Sequence, residues 1–171
     1  MNTVSIRPIT EQDGDILAKI LSCPEQTRFL PNEAPYSDEQ QQTYLNNRCE
    51  HWQQHGFGSY IVVMKDAANT KLGFVGAELS PDPSFVDIRF ALAREFSGQG
   101  YMTQACRLLL HQYFEHQKKD VLYGAAMDEN FPSLAVLKKI GMQAEASLNF
   151  YNCGGLQYFS LTQEQYHDIT N

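Results

Sequence analysis

Two glycines one residue apart, Gly98 and Gly100, follow the apolar stretch Phe90-Ala91-Leu92-Ala93 and precede Tyr101-Met102-Thr103-Gln104-Ala105. The apolar stretch reads as a strand. Met102, Ala105, Leu108, Leu109 and Tyr113 then recur at helical spacing, so the glycines lie in a turn that opens a helix. Glycine lets a backbone come close to a ligand, and the first amides of a helix have no partner inside it. Together with the helix dipole this makes an anion site, most naturally for phosphate. No Gly-Lys-Ser/Thr follows, and the third glycine of a dinucleotide fingerprint is Thr103, so two common phosphate loops are excluded. Further on, Asn130 and Ser133 stand one turn apart at the start of a second helix and share a face. Asn130 also reads as the cap of that helix. Asp87 and Glu78, on adjacent strands, with Glu145 and Tyr158 beyond, are side chains of the kind that serve as general acids or bases. Each carboxylate also reads as a solvated strand residue, and Tyr158 as core packing.

Other chemistry recedes. His51 and His55 are one helical turn apart, as a metal pair is, but they lie in a polar stretch without a carboxylate motif and read as a solvated helix face. The four cysteines, Cys23, Cys49, Cys106 and Cys153, show no metal-ligand spacing. They read as reduced thiols of a cytoplasmic protein, and no metal is expected. With 13 basic and 20 acidic residues the net charge is −7, which argues against direct nucleic-acid binding. No apolar run approaches the roughly 20 residues of a membrane span, and the N-terminus lacks a signal-peptide pattern. At 171 residues, 43% hydrophobic and 19% charged, the chain (1–171) reads as one globular domain, neither disordered nor coiled coil.

The elements that position these residues follow from period and punctuation. A strand from Ser5 to Ile9 precedes a helix capped by Thr10, with Asp13 as its capping-box partner. Pro24, Pro31 and Pro35 mark an irregular segment, and Ser37 starts a polar helix that ends at Gly56. Three strands follow as an antiparallel meander: Ser59 to Lys65, Lys71 to Leu79 and Phe85 to Leu92. The helix from Gly98 to His116 and the strand from Val121 to Met127 make a strand–helix–strand unit, which pairs in parallel. A helix from Asp128 to Gly141 carries Pro132 in its first turn. Strands from Met142 to Tyr151 and Leu156 to Leu161 flank Asn152-Cys153-Gly154-Gly155, a hairpin signal, and a short helix ends the chain. The fold class is α+β around one mixed sheet of six or seven strands, with four or five helices.

The stretch Ser97-Gly98-Gln99-Gly100-Tyr101-Met102-Thr103-Gln104-Ala105 resembles a motif of the GCN5-related N-acetyltransferase (GNAT) superfamily. Within it the chain is similar to the branch of ribosomal-protein alanine and serine N-acetyltransferases. Ile6-Arg7-Pro8, Gly56-Phe57-Gly58, Leu72-Gly73-Phe74-Val75-Gly76, Asn130-Phe131-Pro132-Ser133, Lys139-Ile140-Gly141-Met142 and Tyr158-Phe159-Ser160-Leu161-Thr162 match further segments of the family, in order. The resemblance implies acetyl-CoA as co-substrate, with its diphosphate on the amides around Ser97, Gly98, Gln99, Gly100, Tyr101, Met102 and Thr103. A side chain at either glycine is expected to occupy the anion's place. The pantetheine arm is expected along Ala91 and Leu92, where that strand splays from Val121 to Met127, and the amide near Leu92 as oxyanion donor. Asn130 and Ser133 are expected to face the cofactor, with Ser133 donating a hydrogen bond to the leaving sulfur. The tyrosine that serves many relatives as general acid aligns with Leu137. Met102 replaces a small residue and is expected to crowd the loop.

Acyl transfer also needs a neutral amine. An α-amine has pKa about 7.7–8.0 and a lysine-type amine about 10.4, so the α-amine needs less help. Asp87 is preferred as the base, on the strand expected to hold the thioester, with Tyr158 at the acceptor cleft. Phe29, Leu30, Pro31, Tyr36 and Trp52 are candidates for its walls, and Glu33 for a cation contact. The expected acceptor is the α-amine of a protein or peptide, taken by a monomer or homodimer. A polyamine or amine antibiotic is the alternative within the same chemistry: a closed acidic pocket favours the small cation, an open groove the peptide. A non-catalytic acyl-CoA-binding module is the alternative outside it.

Overall fold

A computed structural model describes residues 3–171. Seven strands form one sheet in the order β1-β2-β3-β4-β5-β7-β6. They are β1 (Val4–Pro8), β2 (Ser59–Met64), β3 (Ala67–Leu79), β4 (Val86–Leu92), β5 (Val121–Met127), β6 (Gln143–Ala144) and β7 (Leu156–Thr162). All neighbours are antiparallel except β4 and β5, which run parallel and meet at one register pair, Asp87 with Tyr123. Beyond that pair the two strands part.

The helices are α1 (Gly14–Leu21), α2 (Pro24–Thr27), α3 (Asp38–His55), α4 (Tyr101–His111), α5 (Phe131–Lys139) and α6 (Gln163–Thr170). One core, holding Val62, Val75, Ile88, Leu109, Leu122, Leu137 and Phe159, lies under α4, α5 and α6; the other, holding Ile16, Leu17, Ile20, Leu45, Ile61, Val63 and Phe74, lies under α1 and α3. Strand β2 sends Tyr60 and Val62 to the first and Ile61 and Val63 to the second, which is why its sequence is unbroken apolar. The same alternation sorts β4. Ile88 and Leu92 go to the first core, which leaves Asp87, Arg89 and Ala91 facing α3.

Helix α3 is unusual in burying only Leu45 and His51 over 18 residues. It is held by its ends. Ser37 and Gln40 form a capping box, and Gly56 closes it at φ 72°, the left-handed region that suits glycine. The face it turns to the sheet carries Trp52, whose indole N–H donates to the Ser59 carbonyl at 2.7 Å, and His51. His51 is buried, not solvated as its polar stretch suggests: Nε2 accepts the Leu79 N–H at 3.0 Å and Nδ1 lies 2.8 Å from the Phe57 carbonyl. Accepting at Nε2 fixes the proton on Nδ1 of a neutral ring, and burial holds its pKa below the usual value. His55 remains exposed.

The Thr10–Asp13 capping box belongs to a larger clamp. Asp13 accepts the Thr10 N–H at 2.8 Å, takes both Nη atoms of Arg7 at 2.9 and 2.8 Å, and pairs with Lys71 at 2.9 Å. It thereby joins β1, the start of α1 and β3. Burial alone pushes this carboxyl up, but the donors of Arg7, Thr10 and Lys71 outweigh it and hold the pKa well below the carboxylate range. Asp13→Ala leaves two cations without their buried partner and is expected to cost roughly 3 kcal/mol in urea unfolding at pH 7. The lowered pKa makes this stability present above the unfolded value near 3.9 and lost as pH falls below it. The gap in urea midpoint between wild type and variant is therefore expected to narrow below about pH 4, and a gap constant with pH refutes the clamp.

Two elements differ from expectation. The proline-broken segment contains a sixth helix, α2, because Pro24 at its first turn forfeits only an amide that had no partner. The strand expected from Met142 to Tyr151 shrinks to the two residues of β6. After Glu145 the chain turns, and Phe150 folds back onto the sheet, stacked on Phe85 at 4.8 Å and edge-on to Tyr158 at 4.8 Å. Burying that ring outweighs continued pairing at a sheet edge.

Candidate active site

Strand β4 ends in a 3-10 turn at Arg94–Phe96, and the chain then passes through Gly98 and Gly100 at φ 76° and 81° into α4. Both glycines are required by backbone conformation. A Cβ at either position meets no protein atom within 4 Å, so the reason for glycine in the protein itself is the left-handed turn, with open space beside it, rather than crowding. The cap residue Gly100 supplies no side chain, the first turn of α4 carries no acid, and the first amide bonded back is Gln104, to the Gly100 carbonyl at 3.2 Å. The amides of Tyr101, Met102 and Thr103 thus point out of an uncapped, positively polarised helix end. Ser97, Gly98 and Gln99 lie exposed beside them. Met102 does not crowd this loop: its side chain is buried in the core under α4.

The edge of β4 leads to this loop. Ala93 donates to the Leu72 carbonyl at 2.7 Å, so Ala91 and Ala93 bond to β3 while Leu92, opposite Gly73, turns its N–H and C=O the other way, toward the parting with β5. The Leu92 carbonyl accepts the Gln26 amide from α2. The Leu92 N–H is thus the main-chain group of this residue left to the gap. Ala91 is bonded to β3 and turns its small side chain to the sheet face under α3.

Beneath α3 the sheet carries a charged cluster. Glu78 of β3 is in register with Asp87 of β4, and both are nearly fully buried, at 1% and 3% exposure. Ser59 donates to Glu78 at 2.6 Å, Arg48 of α3 lies 2.9 Å from Glu78, and Arg89 reaches Asp87 at 3.3 Å and the Leu79 carbonyl at 3.2 Å. The Tyr151 hydroxyl donates to the second Asp87 oxygen. Burial pushes the Asp87 carboxyl up, while Arg89 and Tyr151 pull it back; the Tyr151 phenol is itself pushed up by burial and by the Asp87 charge. Tyr151 is held there by its neighbours: Phe150 is packed on the sheet, and the Tyr158 hydroxyl donates to Asn149 at 3.1 Å and accepts the Tyr151 N–H at 3.4 Å. Tyr158 is thus buried behind the loop rather than at the cleft wall.

A family model for an acetyltransferase (GNAT) domain matches residues 3–143. The chain belongs to that family. Solved structures agree on the GNAT fold. An acetyltransferase from Agrobacterium tumefaciens superposes with a TM-score of 0.81 at 18% identity, covering 92% of this chain and 90% of that one. A ribosomal-protein-S5-alanine acetyltransferase from Vibrio fischeri gives 0.71 at 18%, covering 97% and 96%. A spermidine N-acetyltransferase from Vibrio cholerae, solved with CoA and spermine, gives 0.77 at 16%, covering 96% and 98%.

Within this GNAT domain Asn130 caps α5, its side-chain oxygen accepting the Ser133 N–H at 3.4 Å, and Ser133 is half-buried on the first turn. Leu137 is a core residue at 1% exposure, so the position offers no acid. Of the suggested acceptor walls, Tyr36 lines a surface cleft with Tyr44, while Trp52 is spent on joining α3 to β2. Tyr151, Arg48 and Arg89 had no signal in the sequence. Tyr151 sat inside an expected strand, and the arginines meet only across α3 and β4.

Proposed function

We propose that this GNAT domain is an acetyl-CoA-dependent N-acetyltransferase of the ribosomal-protein type, acting on the α-amine of a protein or peptide by direct attack in a ternary complex. The observation that carries it is the parting of β4 from β5 after Asp87, which opens a gap between the uncapped loop of α4 on one side and the polar face of α3 on the other. The bound co-substrate supplies an activated acetyl thioester. The amides from Gly98 to Thr103 bind diphosphate, and the outward N–H of Leu92 stabilises the developing oxyanion. Ser133 donates a hydrogen bond toward the departing sulfur, with Asn130 fixing its turn. Asp87, five residues before Leu92 on β4, is too distant and too enclosed to touch the amine itself; it takes the proton through water in the cleft and the Tyr151 hydroxyl, which passes its own proton on as it accepts one. Tyr158 is a positioning residue for that hydroxyl.

The cleft beside this relay is open, and Arg48 and Arg89 line it. Two guanidinium groups repel a polyamine, which supports a peptide α-amine instead. Thiol release from acetyl-CoA is to be followed with peptides, spermidine and an aminoglycoside as acceptors. Turnover of peptides is the expected result. Turnover of the polycations alone overturns the acceptor, and donor binding without turnover of any amine overturns the enzyme.

A further inference from the structure

The cleft under α3, about 290 Å³ in volume, is lined among others by Asn47, Arg48, His51, Glu78, Ser80 and Arg89. Arg48 is the unusual member. Its side chain is only 12% exposed, and its guanidinium lies over the Tyr44 ring at 4.5 Å. Arginine carries five N–H donors in a planar fork. Among the described residues none of them makes a hydrogen bond within the protein: Nε faces Glu78 at 2.9 Å without a hydrogen bond's geometry and is fully buried. That Nε is enclosed and ion-paired with Glu78, so the donors left to the cleft are the two Nη groups. Arg89 is partly free as well. Its Nε and Nη2 are engaged, but Nη1 stops 3.7 Å short of Glu78.

The charges around the arginines decide what the cleft accepts. Glu78 and Asp87 balance the two cations in number, but they lie beneath, at 2% and 4% side-chain exposure, whereas Arg48 and Arg89 show 12% and 25%. The cleft therefore meets the guanidinium edges first. His51 adds no charge, since its Nε2 accepts the Leu79 N–H, and Glu50 contributes one anion at the exposed rim. Two forks side by side with spare donors match the geometry of a carboxylate.

We propose that Arg48 and Arg89 bind a carboxylate carried by the acceptor, which rests on the N-acetyltransferase reading above. Position along the strand sets where that carboxylate stands. Arg89 precedes Leu92 by three residues, about 10 Å at strand rise. An amine reacting in the gap at Leu92 then places the side chain of the second or third residue of an extended peptide over the arginines, too far for the acid group of one small amino acid. The substrate class is a peptide with Asp or Glu at its second or third position.

The test compares peptides that differ only by Glu against Gln at those positions, with free glutamate as a separate acceptor. Wild type is expected to favour the Glu peptide by at least about tenfold in kcat/KM, through KM, as charge-assisted bonds allow. In Arg48→Met, which keeps a long apolar stem over Tyr44, and in Arg48→Gln, the ratio is expected to fall toward one. Wild-type indifference to Glu against Gln overturns the proposal without reference to any variant. A preference undiminished in both variants overturns it too, and free glutamate outrunning the peptide overturns the peptide source. Because each result is a ratio between two acceptors, its failure leaves the N-acetyltransferase reading standing. Absence of turnover with every peptide sinks that reading instead, and calorimetry of the two peptides on the CoA-loaded protein still reads the preference.

Discussion

Gly100→Asp is expected to weaken acetyl-CoA binding by at least about a hundredfold. The position is left-handed, at φ 81°, a region Asp tolerates better than most residues, and the new Cβ meets nothing within 4 Å. The fold is therefore expected to survive with a small loss of stability, of the order of 1 kcal/mol. What changes is the electrostatics. A carboxylate is set where three unpartnered amides and the positive end of α4 otherwise meet a diphosphate. Gly100→Asn has nearly the same shape without the charge and is expected to lose far less. Calorimetry with acetyl-CoA, beside a thermal melt of each variant, separates the two effects. Unchanged affinity in the Asp variant means that this loop does not hold the donor.

Asp87→Asn is expected to lower the rate on peptide α-amines by roughly 10²- to 10³-fold near pH 8, with acetyl-CoA affinity retained. The sign of the pH dependence follows from burial. Burial raises the Asp87 pKa above its ordinary 3.8, so the wild-type rate climbs with pH as Asp87 loses its proton, and climbs again as the α-amine does. The Asn variant keeps only the second rise, so its deficit is greatest once wild-type Asp87 is ionised and shrinks in acid. Tyr151→Phe removes the hydroxyl between Asp87 and the cleft. If the proton crosses that hydroxyl, the double variant is expected to be little worse than either single one, since residues acting as a unit are not additive. Fully additive losses, or an acid limb that persists in Asp87→Asn, remove the relay.

Much of this geometry was legible along the chain because it is local. The Thr10–Asp13 box, the helix start at Ser37, the Gly56 stop and the strand Val121–Met127 each depend on residues within a few positions of one another. So does the left-handed turn at Gly98 and Gly100. What escaped is set by tertiary contacts. Tyr151 reaches Asp87 only because Phe150 prefers three aromatic neighbours, Phe85, Tyr123 and Tyr158, to a place in a strand. Arg48 and Arg89 are 41 positions apart and meet through Glu78, a pairing without any period to betray it. His51 looked solvated because its helix is polar, yet the groups that satisfy its ring, Phe57 and Leu79, come from outside that helix.

The lone rung between Asp87 and Tyr123 has a mechanical consequence. A pleated layer resists bending through its ladder, and here the ladder thins to one step at the seam between a four-strand half and a three-strand half. Flexing concentrates there, since α4 packs on β1, β3 and β4 and so braces the four-strand half alone. An extended molecule laid in the seam would add a strand where the ladder is thinnest, and its effect would be to stiffen that joint.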